Sequence, residues 1–463
     1  MAYIGRDTDK ISNVEVLDNI TFDGSSSYTL QKNSVNFTPS SANTLLLSID
    51  GVVQAGNFTV SGSTIDFGVA IAGTSTCDFV LHYGVGLITA PSDGTVTTAK
   101  LGDNAVTSAK LASGAVPNQS AFKNIIINGD MSIAQRATSF TSASGYTLDR
   151  YTWTDDSTSA FTITQSTDVP SGQGFAKSMK FDCTTANGSL GSSDQIRQVQ
   201  QIEGQNLQYL RYGTSFAESL TCSFWVKSNK TGIYCVTLSQ PDDSYASNTV
   251  EYTISSANTW EKKTATFSGD TGGVINNDNG AGLWLMFAFG AGSGRHMTAN
   301  QWNSSYGLST SNQVNLADST SNELYLTGVQ LETGTSASDF EFLPVDVQTQ
   351  RCLRYYETSM SYGIYAQYHG QQVVFGSGTN SFGGATSFLA GRQFKVWKRA
   401  NPTVTLYHQD GTSGGVYTIF NAAKITGVAA QHLNQSGFLF ANKSSAFQQA
   451  YGYYYGYTAD AEL

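Results

Sequence analysis

A near-repeat of ten residues limits what one segment of this chain can fold into. Residues 97–106 read Thr-Thr-Ala-Lys-Leu-Gly-Asp-Asn-Ala-Val, and residues 107–116 read Thr-Ser-Ala-Lys-Leu-Ala-Ser-Gly-Ala-Val. Large apolar residues recur there at every fifth position: Val96, Leu101, Val106, Leu111 and Val116. One large apolar residue in five is too few to build a core within the segment, so these side chains can be buried only against another chain or domain. The repeat therefore predicts the stalk of an elongated homo-oligomer. Its period fits neither a heptad nor a 3.6-residue helix.

The composition favours β-sheet over helix. Charged residues make up 13% of the chain, against about 25% in typical globular proteins. Aromatic residues reach 12%, and the chain has 46 glycines. Many aromatics, hydroxyl residues and glycine-rich turns are typical of β-sandwiches. We expect an all-β chain of several β-sandwich or jelly-roll domains, joined by a short repeat stalk and assembled as an elongated homotrimer.

The order of strand and turn signals divides the chain into five segments. The sequence Leu45–Val53 predicts a hairpin with an Asp-Gly turn, and residues 221–227 alternate like a half-buried strand. The spacing of Ile202, Leu207 and Leu210 predicts a short helix, while Trp225 and Trp284 lie in apolar strands and are expected in the core. The predicted segments are an N-terminal β-domain (1–90), the stalk (91–120), a jelly-roll domain (121–344), a helical connector (345–357) and a Tyr/Gly-rich C-terminal β-domain (358–463).

Net charge and the N-terminal sequence limit the partners. A net charge of −10 argues against nucleic acid and anionic membranes. No signal peptide and no apolar membrane span is visible, which predicts assembly in a cytoplasm without membrane insertion.

The sequence shows no pattern typical of an active site. Asp155–Asp156 and Asp242–Asp243 are adjacent acidic pairs in polar stretches, and neighbouring loop acids are usually solvated. Glycan cleavage needs two carboxylates facing each other across a groove. We therefore expect no catalytic residues and no enzymatic activity.

Several motifs resemble tail fibres of tailed bacteriophages. The opening motifs are Asn-Ile-Ile-Ile-Asn-Gly-Asp (124–130), Ala-Gln-Arg (134–136) and Tyr-Thr-Leu-Asp-Arg-Tyr (146–151). The closing motifs are Gly-Val-Gln-Leu-Glu-Thr-Gly (328–334), Phe-Glu-Phe-Leu-Pro (340–344) and Arg-Cys-Leu-Arg-Tyr-Tyr (351–356). With the Ala-Lys-Leu repeats, the resemblance covers residues 95–463, and residues 1–90 look like virion-attachment domains.

The resemblance implies a homotrimeric virion fibre assembled in the host cytoplasm. Residues 1–90 would join the phage tail or an adaptor protein, and the C-terminal domain would contact a host surface glycan. Residues 121–344 resemble carbohydrate-binding modules of jelly-roll type, which do not themselves cleave sugar. No cofactor is required, although modules of this kind can hold structural calcium.

Exposed aromatic rings among amides and hydroxyls are the expected glycan contacts. The candidate glycan-binding residues are Trp153, Trp302, Tyr306, Tyr362, Tyr365, Tyr368 and His369. Each has an alternative: Trp153 as a strand core residue, Trp302 as an intersubunit contact, and the C-terminal tyrosines as trimer packing.

Three oxygen-bearing residues near the first and last strands of the jelly-roll domain are candidate calcium ligands: Asn128, Asp130 and Glu332. The alternative is ordinary turn chemistry for Asn128 and Asp130 and a solvent-facing Glu332.

Two other functions share this composition. One is a capsid-decorating or collar fibre with a purely structural role. The other is a tailspike that depolymerises glycans.

Overall fold

We analysed the fold in a computed structural model of the chain. It describes residues 14–83, 122–141, 144–359, 372–375, 387–408, 411–418, 424–442 and 452–463. The chain divides into two compact units, residues 1–117 and 118–463. Some predicted residues lie outside the described ranges: the stalk residues Val96, Leu101, Val106, Leu111 and Val116, and the glycan candidates Tyr362, Tyr365, Tyr368 and His369.

Antiparallel sheets make up the described part of the first unit. The strands are β1 (Val14–Leu17), β2 (Ser27–Thr29), β3 (Gln31–Lys32), β4 (Val35–Asn36), β5 (Leu45–Ile49), β6 (Val52–Gln54), β7 (Thr59–Ser61), β8 (Thr64–Asp66) and β9 (Val80–Tyr83). They pair in the orders β1-β9-β5-β6, β2-β8-β7 and β3-β4. The Asp50–Gly51 turn joins β5 to β6 with both residues at positive φ, 49° and 78°. This geometry suits a two-residue hairpin and confirms the predicted one.

Two antiparallel sheets form a β-sandwich in the second unit. Their strands are β10 (Ser139–Phe140), β11 (Ser144–Tyr146), β12 (Tyr151–Asp155), β13 (Ala160–Ser166), β14 (Ser178–Thr185), β15 (Gln195–Glu203), β16 (Leu220–Ser228), β17 (Gly232–Gln240), β18 (Ala246–Ile254), β19 (Glu261–Phe267), β20 (Ala281–Ala291), β21 (Trp302–Asn303) and β22 (Glu323–Thr333). The six-stranded sheet has the order β10-β13-β14-β22-β16-β19, and the seven-stranded sheet has the order β11-β12-β15-β20-β17-β18-β21.

Strand alternation decides which side chains fill the sandwich core. On β20, Leu283, Leu285, Phe287 and Phe289 point into the main core, while Trp284 lies on the opposite, outer face. The expectation that Trp284 belongs to the core between the sheets is therefore wrong.

The helix predicted from Ile202, Leu207 and Leu210 is also wrong. Ile202 belongs to β15, and 3₁₀ turns follow at Gly204–Asn206 and Gln208–Leu210. All three side chains are buried in the main core. Other 3₁₀ turns lie at Ala42–Thr44, Pro241–Asp243, Ser293–Arg295 and Leu316–Asp318.

A helix and further antiparallel strands follow the sandwich. They are α1 (Val345–Leu353), β23 (Tyr356–Thr358), β24 (Gln372–Phe375), β25 (Ser387–Gln393), β26 (Thr403–Tyr407), β27 (Gly415–Thr418), β28 (Lys424–Thr426), β29 (Val428–Asn434), β30 (Gly437–Asn442) and β31 (Gly452–Asp460). β31 pairs with β23, β24, β26 and β27, and β25-β30-β29 form a separate sheet. Tyr455 and Tyr457 are buried in this core, so these two phenols are packing residues. With one α-helix among the described residues, the all-β prediction is confirmed.

Candidate functional site

The outer face of the seven-stranded sheet is partly roofed by the segment 292–310. Leu308 lies on this face with Val199, Cys235 and Met286, and all four are buried. The Thr237 hydroxyl donates a hydrogen bond to the Leu308 carbonyl at 2.8 Å, which fixes the roof to β17. The segment 292–310 therefore already covers the apolar patch formed by these four residues. The polar and aromatic side chains described next surround this patch.

Three aromatic rings form a cluster beside this roof. The ring centroid of Trp284 lies 5.2 Å from that of Tyr245, and the Tyr245 and Tyr306 centroids are 6.4 Å apart. Both pairs meet edge to face, the arrangement that the charge distribution of aromatic rings favours. Tyr245 is 42% exposed, and Trp284 and Tyr306 are half-buried. We call these three residues the aromatic cluster.

Two guanidinium groups lie against the aromatic cluster. The Arg197 Cζ is 5.3 Å from the Trp284 ring centroid and 5.4 Å from that of Tyr306. The Arg295 Cζ is 5.1 Å from the Tyr306 centroid. Arg197 Nη1 donates to the Tyr306 hydroxyl at 2.6 Å, and that hydroxyl donates to Gln195 Oε1 at 2.6 Å. The rings and donors are therefore held in one fixed arrangement.

Burial perturbs the titratable groups of this arrangement. Burial lowers the pKa of Arg197, although an arginine remains protonated at neutral pH. Burial also raises the pKa of Tyr306, and the charges of Arg197 and Arg295 oppose that shift. Tyr306 is therefore a neutral hydrogen-bonding group, and Arg197 is a partly desolvated cation.

The outer face of the six-stranded sheet carries a second group of rings and cations. Lys227 Nζ lies 5.7 Å from the Trp260 ring centroid and 4.2 Å from that of Tyr325. Lys227 forms an ion pair with Asp168, and the Trp260 indole N–H donates to the same carboxylate at 3.0 Å. The charge of Lys227 is thus neutralised within the chain. A cavity of about 230 Å³ lies on the same sheet and is lined in part by the half-buried Trp225, so the expectation that Trp225 belongs to the core is also wrong.

A larger cavity, of about 390 Å³, lies where α1 meets β15. Arg150, Arg351 and Arg354 line it. Arg150 pairs with Glu462, and Arg354 pairs with Glu203 at 2.8 Å. Arg150 and Glu462 are almost fully buried. Two of the three cations are therefore used to join β15, α1 and the C-terminal segment.

The structure places the predicted tryptophans away from the aromatic cluster. Trp153 is 1% exposed and packs within 5.7 Å of the rings of Phe161, Phe181 and Phe289. No ring face is left for a ligand, so the assignment of Trp153 to glycan binding is wrong. Trp302 is half-buried, packs edge to face against Tyr212 and donates its indole N–H to the Ser268 carbonyl at 2.8 Å.

Tyr306 is the predicted residue that the structure places in the aromatic cluster. Sequence analysis missed Arg197, Tyr245 and Arg295 and assigned Trp284 to the core. Strand alternation could have placed Trp284 on the outer face. Neighbouring strand residues face opposite sides, and Leu283 and Leu285, on either side of Trp284, point into the core.

The predicted calcium ligands do not form one coordination site. The Asn128 Nδ2 donates to the carbonyls of Ile133 and Asp149 at 2.8 and 3.1 Å, and its Oδ1 accepts from the Ile133 N–H. Glu332 accepts from Gln330 and from the Ser338 N–H and hydroxyl.

Strand register also separates these ligands. Gly129 bonds to Val329, so Glu332 lies three strand residues further along, about 10 Å away. Asp130 Oδ1 accepts from the Ser132 hydroxyl at 3.0 Å. The prediction of a shared calcium site is therefore wrong, and the turn interpretation of Asn128 and Asp130 fits the structure.

The likenesses of this chain to solved structures are weak. No protein-family model and no curated protein matches the chain. It is similar over 46% of its length to the enzymatically active domain of tailspike protein 4 of bacteriophage CBA120, with 14% identity, a TM-score of 0.26 and 22% of that chain covered. The same share matches a candidate sugar-binding protein from Bacteroides thetaiotaomicron, with 13% identity, a TM-score of 0.27 and all of that chain covered.

A family 61 carbohydrate-binding module in complex with β-1,4-galactotriose is also similar. The match has 10% identity and a TM-score of 0.23, and it covers 46% of this chain and 99% of the module. These three TM-scores lie below 0.5, so no functional conclusion rests on these likenesses. Among the described residues, no helix is long and apolar enough to span a membrane.

Proposed function

We propose that this chain is the subunit of a homotrimeric tail fibre of a tailed bacteriophage, which binds glycans on the host surface without cleaving them. The motifs at 124–151 and 328–356 support the fibre assignment by resemblance. Residues 1–90 attach the fibre to the phage tail or an adaptor, and the protein is part of the virion. The aromatic cluster of Tyr245, Trp284 and Tyr306 is the observation that carries the binding function.

The chemistry of this cluster suits a saccharide. A pyranose presents an apolar C–H face and an edge of hydroxyl groups, which match a ring surface bordered by fixed donors and acceptors. Trp284 and Tyr245 supply ring surface, and Arg197, which is held against Trp284 and Tyr306, supplies donors beside it. Three copies in a trimer bind a polymeric glycan with higher avidity than one copy.

The acids of the sandwich support binding rather than cleavage. Asp155 is buried and accepts from the hydroxyls of Ser157 and Ser159 at 2.7 Å each. Asp242 accepts from the backbone and side chain of Asn276. Each predicted acidic pair therefore contains one carboxylate that holds a loop in place, which is the wrong role for a member of a catalytic pair.

Glycan-array binding followed by titration calorimetry tests this proposal. The Trp284→Ala variant is expected to weaken binding at least about tenfold, or about 1.4 kcal/mol, because it removes the largest ring of the proposed binding surface and buried tryptophans dominate binding energy. Trp260→Ala is the matched control, since it removes a half-buried ring from the outer face of the other sheet.

Two results would overturn the proposal. Equal binding by the wild type and Trp284→Ala, together with loss in Trp260→Ala, would move the site to the other sheet. Release of reducing ends from a bound polysaccharide would replace simple binding by depolymerisation.

A further inference from the structure

We infer that the ligand of the aromatic cluster is an anionic glycan, whose carboxylate or phosphate group is bound by Arg197 and Arg295. This inference rests on the proposed glycan-binding function and names the chemical class of the ligand.

Unlike four other arginines of the second unit, Arg197 and Arg295 have no acidic partner among the described residues. Among the described residues, neither has a carboxylate oxygen within 4.0 Å of its guanidinium nitrogens, whereas Arg136, Arg150, Arg211 and Arg354 each form an ion pair. The chain has 35 acidic and 25 basic residues, so acids are not scarce. Two unpaired cations beside one another in such a chain indicate a place for an external negative charge.

The hydrogen bonds of Arg197 leave it able to bind a ligand. Its Nη1 reaches the Tyr306 hydroxyl at 2.6 Å and the Met286 sulfur at 3.0 Å. Its Nε is buried and has no hydrogen-bond partner among the described residues. A buried donor without a partner costs free energy, and an anionic oxygen would satisfy it.

Asp156, whose charge acts on Arg197 and Tyr306, is already committed to another residue. Asp156 accepts from Gln195 Nε2 at 2.6 Å, and Gln195 in turn accepts from the Tyr306 hydroxyl. Asp156 therefore orients Gln195 and Tyr306 without contacting either guanidinium. No ion pair among the described residues neutralises Arg197 or Arg295, whereas two of the three arginines in the cavity beside α1, Arg150 and Arg354, are paired with acids.

The geometry also suits the planar fork of arginine. A guanidinium binds a carboxylate or phosphate through two parallel hydrogen bonds and at the same time stacks on an aromatic face. Arg197 already lies against Trp284 and Tyr306. A sugar stacked on the cluster would therefore present its acidic group to Arg197 and Arg295.

The test uses the full chain and acidic bacterial polysaccharides paired with chemically neutralised forms. A uronic-acid polysaccharide is compared with its carboxyl-reduced form, and a phosphate-bearing polysaccharide with its dephosphorylated form. We expect at least about tenfold tighter binding of one acidic form than of its neutral partner, since a charge-assisted hydrogen bond contributes about this much. The pair that shows the difference identifies the anion as carboxylate or phosphate.

Variants separate this inference from the proposed function. Arg197→Gln should weaken binding of the acidic form more than binding of the neutral form, so that the preference for the acidic form is lost. Arg211→Gln removes one positive charge from an exposed ion pair with Glu218. This control should keep the wild-type affinity for both the acidic and the neutral form. Equal binding of acidic and neutral forms by the wild type would overturn the inference but leave glycan binding intact. Failure of every polysaccharide to bind would overturn both.

Discussion

At the scale of single residues, the buried carboxylate of Glu203 is kept ionised by the hydrogen-bond donors around it. Arg354 Nε and Nη2 each donate to its carboxylate at 2.8 Å, and the Tyr355 hydroxyl donates at 2.5 Å. Burial raises the pKa of Glu203, but these donors outweigh that effect, so the pKa lies below its usual value. The ionised carboxylate therefore stabilises the junction between β15 and α1.

Glu203→Gln should lower the free energy of unfolding by about 2 kcal/mol at pH 7, the usual contribution of hydrogen bonds to a charged group. The lowered pKa means that this stabilisation is present above the unfolded pKa of about 4.3 and is lost as the pH falls through the lower folded pKa. The difference between wild type and variant should thus shrink on acidification. Urea unfolding between pH 7 and pH 3 measures it.

The half-exposed Glu218 provides the control for this experiment. Glu218→Gln breaks only a surface pair with Arg211 and should change the stability by less than about 1 kcal/mol at any pH. The free energies of unfolding of the wild type and Glu203→Gln are compared down to pH 3. A constant difference between them would contradict the assigned role of the Glu203 charge.

At the scale of elements, the Asn128–Gly129–Asp130 turn fixes the start of the sandwich to its last strand. The Val329 N–H donates to the Gly129 carbonyl at 2.9 Å. A Cβ atom on Gly129 would lie 2.0 Å from the Val329 carbonyl oxygen, closer than any real contact. Glycine is therefore required here by close approach of two backbones.

Gly129→Ala should destabilise the protein by about 1–3 kcal/mol, the usual effect of overpacking. Gly188→Ala is the matched control, because no atom lies within 4 Å of the added Cβ. Its effect should stay within about 0.5 kcal/mol. Thermal unfolding of both variants checks this, and equal melting temperatures for Gly129→Ala and the wild type would contradict the close approach.

Local signals predicted strands and turns, whereas side-chain placement depended on tertiary structure. The Asp50–Gly51 hairpin was predictable because its turn residues determine the backbone conformation. Trp153 and Trp284 show the limit: alternation separates the two faces of each strand, but only the pairing of the sheets decides which face is enclosed. The contact of Arg197 with Trp284 and Tyr306 joins residues up to 109 positions apart, so no local pattern could predict it.

At the scale of the whole molecule, the proposed fibre depends on residues 91–120 for its assembly. Light scattering of the purified chain should give a mass near three times 49.5 kDa, and deletion of 91–120 should lower it towards one chain. The reason is that the apolar residues at every fifth position need partner chains to be buried. A single-chain mass before and after deletion would contradict the trimer.

The central claim is that the outer face of the seven-stranded sheet binds a glycan. The most direct measurement is a crystal structure of the full chain with an acidic oligosaccharide taken from the tightest-binding polysaccharide. We predict a sugar ring against Trp284 and Tyr245, with its acidic group hydrogen-bonded to Arg197. A sugar bound instead against Trp260, or in the cavity beside α1, would contradict the claim.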